Sequence, residues 1–211
     1  MQNIFFVGTD NKVGKTHIIC ALLKSLRSDG ISAFGFKPIA CGNREEARNI
    51  REVTDTKLNL DVINPVYLRA AAEPLIAAEL ERKTIDMDFI KKAYQELTST
   101  GDVVLVEGIG GWNTPINAKE QMGDIALALD LAVVVVANNC LGAANLISLT
   151  VDAIKAKGAT CLGIILNHIE EEWDTASVTN RSLIERITGL PVVAELIHGQ
   201  DELSSSVIFE N

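Results

Sequence analysis

A doubly wound, mainly parallel α/β sheet flanked by helices is the fold this sequence predicts. Three observations carry it. Six short runs rich in Val, Ile and Phe alternate with helical patterns along the chain. The runs are apolar throughout rather than every second residue, as strands covered on both faces read. Glycine- and charge-bearing turns follow the runs, the first of them leading straight into a helix. Alternating strands and helices build one parallel sheet, whose ligands bind beyond the carboxyl ends of its strands.

The expected strands cover residues 3–7, 32–36, 103–107, 132–137, 161–166 and 192–196. The expected helices cover residues 15–28, 85–97, 122–129, 143–157 and 178–188. Gly30, Gly101 and Gly158 fall just past helix ends, where a left-handed residue closes a helix. Residues 44–83 read as helical but less periodic, a cap near the site. No repeat, low-complexity tract or linker interrupts the chain, so residues 1–211 are expected to form one domain. The polar tail after Gly199 is expected to be flexible.

Composition narrows the function classes. Hydrophobic residues make up 47% of the 211 positions, enough for a sizeable core. The formal net charge of −9 makes the chain a poor partner for a nucleic-acid backbone. The four cysteines form no C-x-x-C pair and no zinc spacing; Cys20 and Cys161 lie in apolar segments and read as core residues. The longest apolar run, residues 125–137, contains Asp130 and is too short to span a bilayer. The chain begins directly with a strand, so a cytoplasmic protein with reduced thiols and no membrane partner is expected.

The chemistry sits in the turns. Gly8-Thr9-Asp10-Asn11-Lys12-Val13-Gly14-Lys15-Thr16 joins the first strand to the first helix, the context of a phosphate-binding P-loop. The fold is therefore expected to be P-loop NTPase-like. Backbone N–H groups from Asp10 to His17 would surround the phosphates of ATP, with Lys15 at the β/γ-phosphates and the Thr16 hydroxyl on Mg²⁺. The loop is a variant: the standard pattern places glycine at position 9, whereas this chain has Thr9 preceded by Gly8.

Lys37 and Cys41 follow the second strand. Lys37 is either a counter-charge for phosphate or an anionic intermediate, or a solvated surface lysine. Cys41 has no evident base beside it and makes a poor nucleophile. Val106-Glu107-Gly108-Ile109-Gly110-Gly111-Trp112 follows, with Glu107 a Mg²⁺-ligand candidate and the glycines either a ligand-approach surface or a structural turn. The turn from Asn138 through Leu141 and Gly142 to Asn145 either shapes a substrate pocket or merely enters a helix. Asn167 closes the fifth strand with an amide able to pair with adenine, and His168 reads as a pocket-edge or surface residue rather than a catalytic base.

Taken in order from Phe5 to about Leu196, these motifs resemble the dethiobiotin synthetase family: Gly-Thr-Asp-x-x-Val-Gly-Lys-Thr, Lys-Pro, Val-Glu-Gly-x-Gly-Gly-Trp, Leu-Gly-x-x-Asn and a strand-closing Asn. The resemblance implies a homodimeric ligase of biotin synthesis that uses ATP, Mg²⁺ and CO₂ to close a ureido ring on 7,8-diaminononanoate (7,8-diaminopelargonate). One amine takes up CO₂ as a carbamate, the carbamate oxygen attacks the γ-phosphate, and the second amine closes the ring as phosphate leaves. It implies Lys15 and Lys37 as catalytic cations and Thr16, Glu107 and Glu46 as magnesium ligands, with Glu45 the alternative to Glu46. It sets Cys41, Gly110, Gly111, Leu141 and Gly142 against the substrate, Asn167 on adenine, and partner-subunit residues near 178–183 beside the site.

The chain departs from the family at Lys12, Cys41, Glu46, Leu75 and Ile109, where glutamate, serine, aspartate, histidine and alanine are usual. Two other readings stand beside this one. A P-loop ligase with a different acceptor would keep the same phosphate chemistry. An ATP-switched partitioning protein would carry a signature lysine where this chain has Asp10.

Overall fold

The computed structural model describes residues 2–54 and 57–209. In chain order the elements are β1 (Ile4–Gly8), α1 (Lys15–Ser28), β2 (Ala33–Phe36), β3 (Ile39–Cys41), α2 (Glu45–Thr54), α3 (Leu60–Ile63), β4 (Val66–Leu68), α4 (Pro74–Glu81) and α5 (Met87–Thr98). They continue as β5 (Val103–Gly111), α6 (Met122–Ala128), β6 (Ala132–Asn138), α7 (Ala143–Ala156), β7 (Cys161–Asn167), α8 (Thr175–Thr188), β8 (Val192–Leu196) and α9 (Ser206–Phe209).

Six strands pair in parallel in the order β2-β5-β1-β6-β7-β8. Successive residues of a strand face opposite sides, which is why the central runs must be apolar throughout. Phe5 and Val7 belong to the core layer that also takes in residues of α5, α6, α7 and α8, whereas Ile4 and Phe6 belong to the layer with α1, α2 and α9. Both layers are dry: Phe5, Phe6, Ile18, Leu22 and Ile147 are fully buried. Each such side chain contributes roughly 1.5–3 kcal/mol of transfer free energy.

Helix ends follow the glycine pattern in part. Gly30 and Gly158 adopt φ of 80° and 73°, as left-handed closing residues do. Gly101 does not have a positive φ; a Cβ there would lie 2.3 Å from the Phe34 ring, so close packing is what demands glycine.

Four further differences from the sequence reading bear on the site. First, β5 runs on to Gly111, so Glu107 lies within the strand and not at its end. Second, the cap is not purely helical: β3 and β4 form a separate two-stranded parallel sheet beside α2, α3 and α4. Third, α8 starts at Thr175, where Asp174 and Ser177 cap each other's backbone N–H groups. Fourth, the stretch after Gly199 lies against the protein: Leu203 and Ile208 are buried, and the Ser205 N–H donates to Ser25 Oγ at 3.0 Å. No helix among the described residues is long and apolar enough to cross a membrane.

Candidate active site

The loop after β1 is shaped by close approach. A Cβ on Gly8 would lie 2.4 Å from the Asp10 carbonyl oxygen and 2.6 Å from Lys15 Nζ. Glycine is therefore needed at position 8, which accounts for the loop variant. The Thr9 N–H donates to the Val136 carbonyl at 2.9 Å and ties the loop to β6. Lys15 Nζ donates to the Asp10 carbonyl at 3.0 Å. Gly14 has a φ of 94°, and a Cβ there would meet Asn167 Nδ2 at 2.2 Å. Asn167 Nδ2 donates to the Val13 carbonyl at 3.1 Å, so this amide braces the loop from β7. Gly14 offers no side-chain cap to α1, and the first-turn N–H groups stay available to an anion.

Two buried charges lie beneath the loop. Lys37 and Glu107 are both fully buried, with Lys37 Nζ 2.7 Å from Glu107 Oε1. Removing either partner alone would strand a buried charge. Glu46, on the first turn of α2, brings its Oε2 to 2.6 Å from the same ammonium. Thr16 Oγ1 donates to Glu107 Oε1 at 2.9 Å. The other oxygen, Glu107 Oε2, is buried without a hydrogen-bond partner. Lys37 is thus no solvated surface lysine.

Electrostatics follow from this packing. Burial, reinforced by the Lys37 charge, pulls Lys15 down to about 8. Burial also opposes the charge on Lys37, but Glu107 and Glu46 outweigh it and hold the ammonium above the usual lysine range. For Glu46, burial would favour the neutral acid, and the Lys37 ammonium outweighs it, so the carboxyl sits below its ordinary value.

A cavity of about 490 Å³ opens above these groups. Lys12, Gly14, Lys15, Thr16 and His17 form one wall and Glu46, Asn49 and Val53 of α2 the other. Glu45 is exposed and does not line it, so of the two adjacent carboxylates Glu46 faces the site. Asn49 and Val53 escaped the sequence reading, although their spacing from Glu46 puts all three on one helical face. Cys20 is half-buried: it packs against the core layer that includes α1 and also borders the cavity.

The donor set is oxygen-rich, as Mg²⁺ prefers. Thr16 Oγ1 and Glu107 are already joined, and the orphaned Glu107 Oε2 is a buried acceptor of the kind a cation satisfies. Among the described residues, no three His, Cys, Asp or Glu side chains form a cage. Mg²⁺ is commonly held by one or two carboxylates and completed by phosphate oxygens, so it does not require such a cage.

Other expected site residues spread around this centre. Asp10 and Asn11 are exposed on the loop, and Lys12 holds a left-handed φ of 58°. His17 Nε2 lies 2.6 Å from the Gln200 carbonyl oxygen, linking α1 to the final segment. Gly110 has a φ of 62°, the Gly111 N–H donates to Thr114 Oγ1 at 3.0 Å, and a Cβ on Gly111 would lie 3.4 Å from the Gly8 carbonyl. The glycine stretch therefore runs beside the phosphate loop. Cys41 is half-buried in β3; burial and then the nearby Glu73 push its thiol up to about 11, far from a thiolate nucleophile. The N–H of Leu75 is bound to the Pro115 carbonyl.

Leu141 is 82% exposed and Gly142 begins α7; neither lines the cavity. Asn139 is no helix cap; it lines a second cavity, apart from the nucleotide loop. It is buried and donates to His168 Nε2 at 2.8 Å and to the Ser177 carbonyl at 3.0 Å, while accepting from Asn180. His168 is itself buried and stacks on Trp173 at 3.9 Å, at the edge of that second cavity, between the loops after β6 and β7.

Known proteins are similar to this chain over nearly its whole length. An ATP-dependent dethiobiotin synthetase BioD of Akkermansia muciniphila is 47% identical over 210 residues, covering 100% of this chain and 99% of that protein. A protein of the same name from Anaeromyxobacter sp. strain Fw109-5 is 36% identical, covering 95% of this chain and 92% of its own. The chain belongs to the dethiobiotin synthetase family. A family model described as an AAA domain also matches residues 2–201. Solved structures similar in fold include a ParA family ATPase from Chlorobium tepidum TLS, with a TM-score of 0.56, 15% identity and coverage of 95% and 85% of the two chains. The MinD cell division protein of Aquifex aeolicus gives a TM-score of 0.59 at 14% identity, covering 94% and 82%. At such identities the likeness to ParA and MinD concerns the fold alone.

Proposed function

We propose that this chain is an ATP- and Mg²⁺-dependent dethiobiotin synthetase. It closes the ureido ring of dethiobiotin from 7,8-diaminononanoate and CO₂ in biotin biosynthesis, releasing ADP and phosphate. The observation that carries this reading is the cluster of Lys15, Thr16, Lys37, Glu46 and Glu107 beneath the phosphate loop. It occurs in a chain related over its full length to named synthetases.

The chemistry needs charge stabilisation more than a covalent nucleophile. The loop N–H groups and Lys15 hold the phosphates of ATP, and Lys15 steadies the γ-phosphate as it is attacked. Lys37 offsets the negative charge of the carbamate and then of the mixed anhydride. Its Nζ also donates to the Gly108 carbonyl at 3.2 Å, so it faces the Gly108–Gly111 backbone along which the acceptor lies. Thr16, Glu107 and Glu46 hold Mg²⁺, which neutralises phosphate charge when bound. Asn167, behind the loop, keeps its carbonyl oxygen for the adenine amino group, and Gly110, Gly111 and Cys41 line the acceptor.

A homodimer completes the acceptor site in this reading. Leu141 before α7, Leu149 midway along it and Val178 in the first turn of α8 leave apolar surface exposed, which supports pairing there. Localisation in the cytoplasm goes with the reading, since both substrates are small water-soluble metabolites.

The test is ADP formation from ATP, Mg²⁺ and bicarbonate, with and without 7,8-diaminononanoate, and the product's mass. Diamine-dependent ADP with a ureido product is expected. ATP binding without diamine-dependent turnover would overturn this acceptor and direct attention to Cys41, Leu75 and Ile109.

A further inference from the structure

The Lys37 ammonium sits on two carboxylates that the proposed function also assigns to Mg²⁺. It is 2.7 Å from Glu107 Oε1 and 2.6 Å from Glu46 Oε2. Thr16 Oγ1 shares Glu107 Oε1 with it. A monovalent ammonium and a divalent ion cannot both be held on these oxygens at contact distance without strong mutual repulsion. One of the three groups has to move, and the structure distinguishes them. Glu107 is a fully buried strand residue, whereas the Glu46 side chain is 52% exposed on the first turn of a surface helix. Besides the two carboxylates, Lys37 has a third acceptor already in place, the Gly108 carbonyl of β5 at 3.2 Å.

Resting on the function proposed above, we infer that Glu46 is an exchange ligand: it holds Lys37 in the arrangement seen here and turns to Mg²⁺ when nucleotide is bound. Lys37 is thereby released from α2 and keeps Glu107 and the Gly108 carbonyl, where its charge faces the acceptor. The longer arm of glutamate at position 46, where the family usually has aspartate, suits both contacts. From the same helical position it reaches the buried ammonium and can swing to the cavity. Metal and Lys37 thus compete for one carboxylate, and loading the metal arms the lysine for the acceptor. By linkage, whatever draws Lys37 toward the acceptor tightens metal binding by the same factor.

The experiment counts bound Mn²⁺, as a probe for Mg²⁺, by electron paramagnetic resonance on the full-length protein stripped with chelator and then saturated with a non-hydrolysable ATP analogue. It needs no acceptor and no turnover, so it can fail while diamine-dependent synthesis succeeds, or the reverse. Lys37→Met is expected to bind Mn²⁺ about tenfold or more tightly than the unaltered chain, because the competitor is gone. Glu46→Gln is expected to bind it about tenfold or more weakly, because a ligand is gone. Unchanged affinity in the lysine variant would overturn the competition. Unchanged or tighter binding in Glu46→Gln would make Glu46 a positioning residue for Lys37 alone, and would equally overturn the exchange. Because Lys37→Met leaves Glu107 without its ammonium, Lys37→Gln is measured beside it and decides by the same criterion if the first does not fold.

Discussion

At the scale of single residues, the site is built on charges that this fold buries at a cost. Lys15 is held in a dry place near Lys37, so its charge is strained and gains most from a polyphosphate arriving beside it. Lys15→Ala is expected to lower kcat/KM for ATP-dependent ADP formation by about a thousandfold or more. The fold should survive, since among the described residues no carboxylate lies within ion-pair distance of Lys15; near-normal turnover would refute the phosphate-loop assignment. His168 is a contrasting buried group, with a structural task. The Asn139 amide donates to its Nε2, so that nitrogen must be unprotonated. Burial holds the imidazole below its ordinary value of 6.5, and Glu195 opposes only in part. The folded chain therefore takes up this proton less readily than the unfolded one. The stabilisation is complete above about pH 6.5 and is lost as pH falls through the lower folded value. His168→Phe would keep a ring on Trp173 but lose the acceptor, costing about 1–2 kcal/mol near pH 7.5. Urea unfolding at pH 7.5, 6.5 and 5.5 should show the gap between the two proteins closing toward acid. A constant gap would assign the acid sensitivity to other groups.

At the scale of elements, what was legible depended on whether the signal was local. The continuous apolar strands and the helix from Lys15 to Ser28 were readable because each carries its own period and its own glycine punctuation. The start of α8 was missed by three residues, although Asp174 and Ser177 spell a capping pair; the apolar pattern that set the expected start is simply absent from that first turn. β3 and β4 were not visible because three-residue strands have too few positions to show alternation. Gly123 reads as an ordinary helix weakness, and replacing a helical glycine by alanine normally stabilises by about 0.5–1 kcal/mol. In α6 the sign reverses. A Cβ on Gly123 would lie 2.4 Å from the buried Trp112 ring, and Trp112 directly follows the Gly110–Gly111 stretch beside the phosphate loop. Gly123→Ala is therefore expected to destabilise by about 1–3 kcal/mol through overpacking. It should also raise the KM of the acceptor more than that of ATP, since Lys15 and Thr16 are untouched. A raised melting temperature with unchanged kinetics would mean that α6 shifts freely.

At the scale of the whole molecule, the sequence indicated which residues gather at the strand ends but not what each one touches. Motif order placed Lys15, Lys37 and Glu107 on one edge of the sheet; it could not reveal that a carboxylate from α2 closes on Lys37, because that contact depends on how a cap helix packs. The final segment illustrates the same limit. Its acidic, polar composition reads as a free tail, yet its few apolar residues seat it, with Leu203 and Ile208 buried and Val207 and Phe209 partly buried beside them. Leu203 and Ile208 enter the core layer shared with α1, and Gln200 meets His17 at the edge of the nucleotide cavity. Removing residues 201–211 would expose that layer and leave Gln200 at a free chain end. Burial of two such side chains is worth roughly 1.5–3 kcal/mol each, and the chain entropy recovered on deletion offsets part of it. A net loss of about 1–3 kcal/mol is expected, read as a lower urea midpoint, together with weaker ATP binding by calorimetry because Gln200 would lose the anchor that holds it near His17. An unchanged midpoint and unchanged ATP affinity would show that the segment is free in solution and that the α1 layer is stable without it.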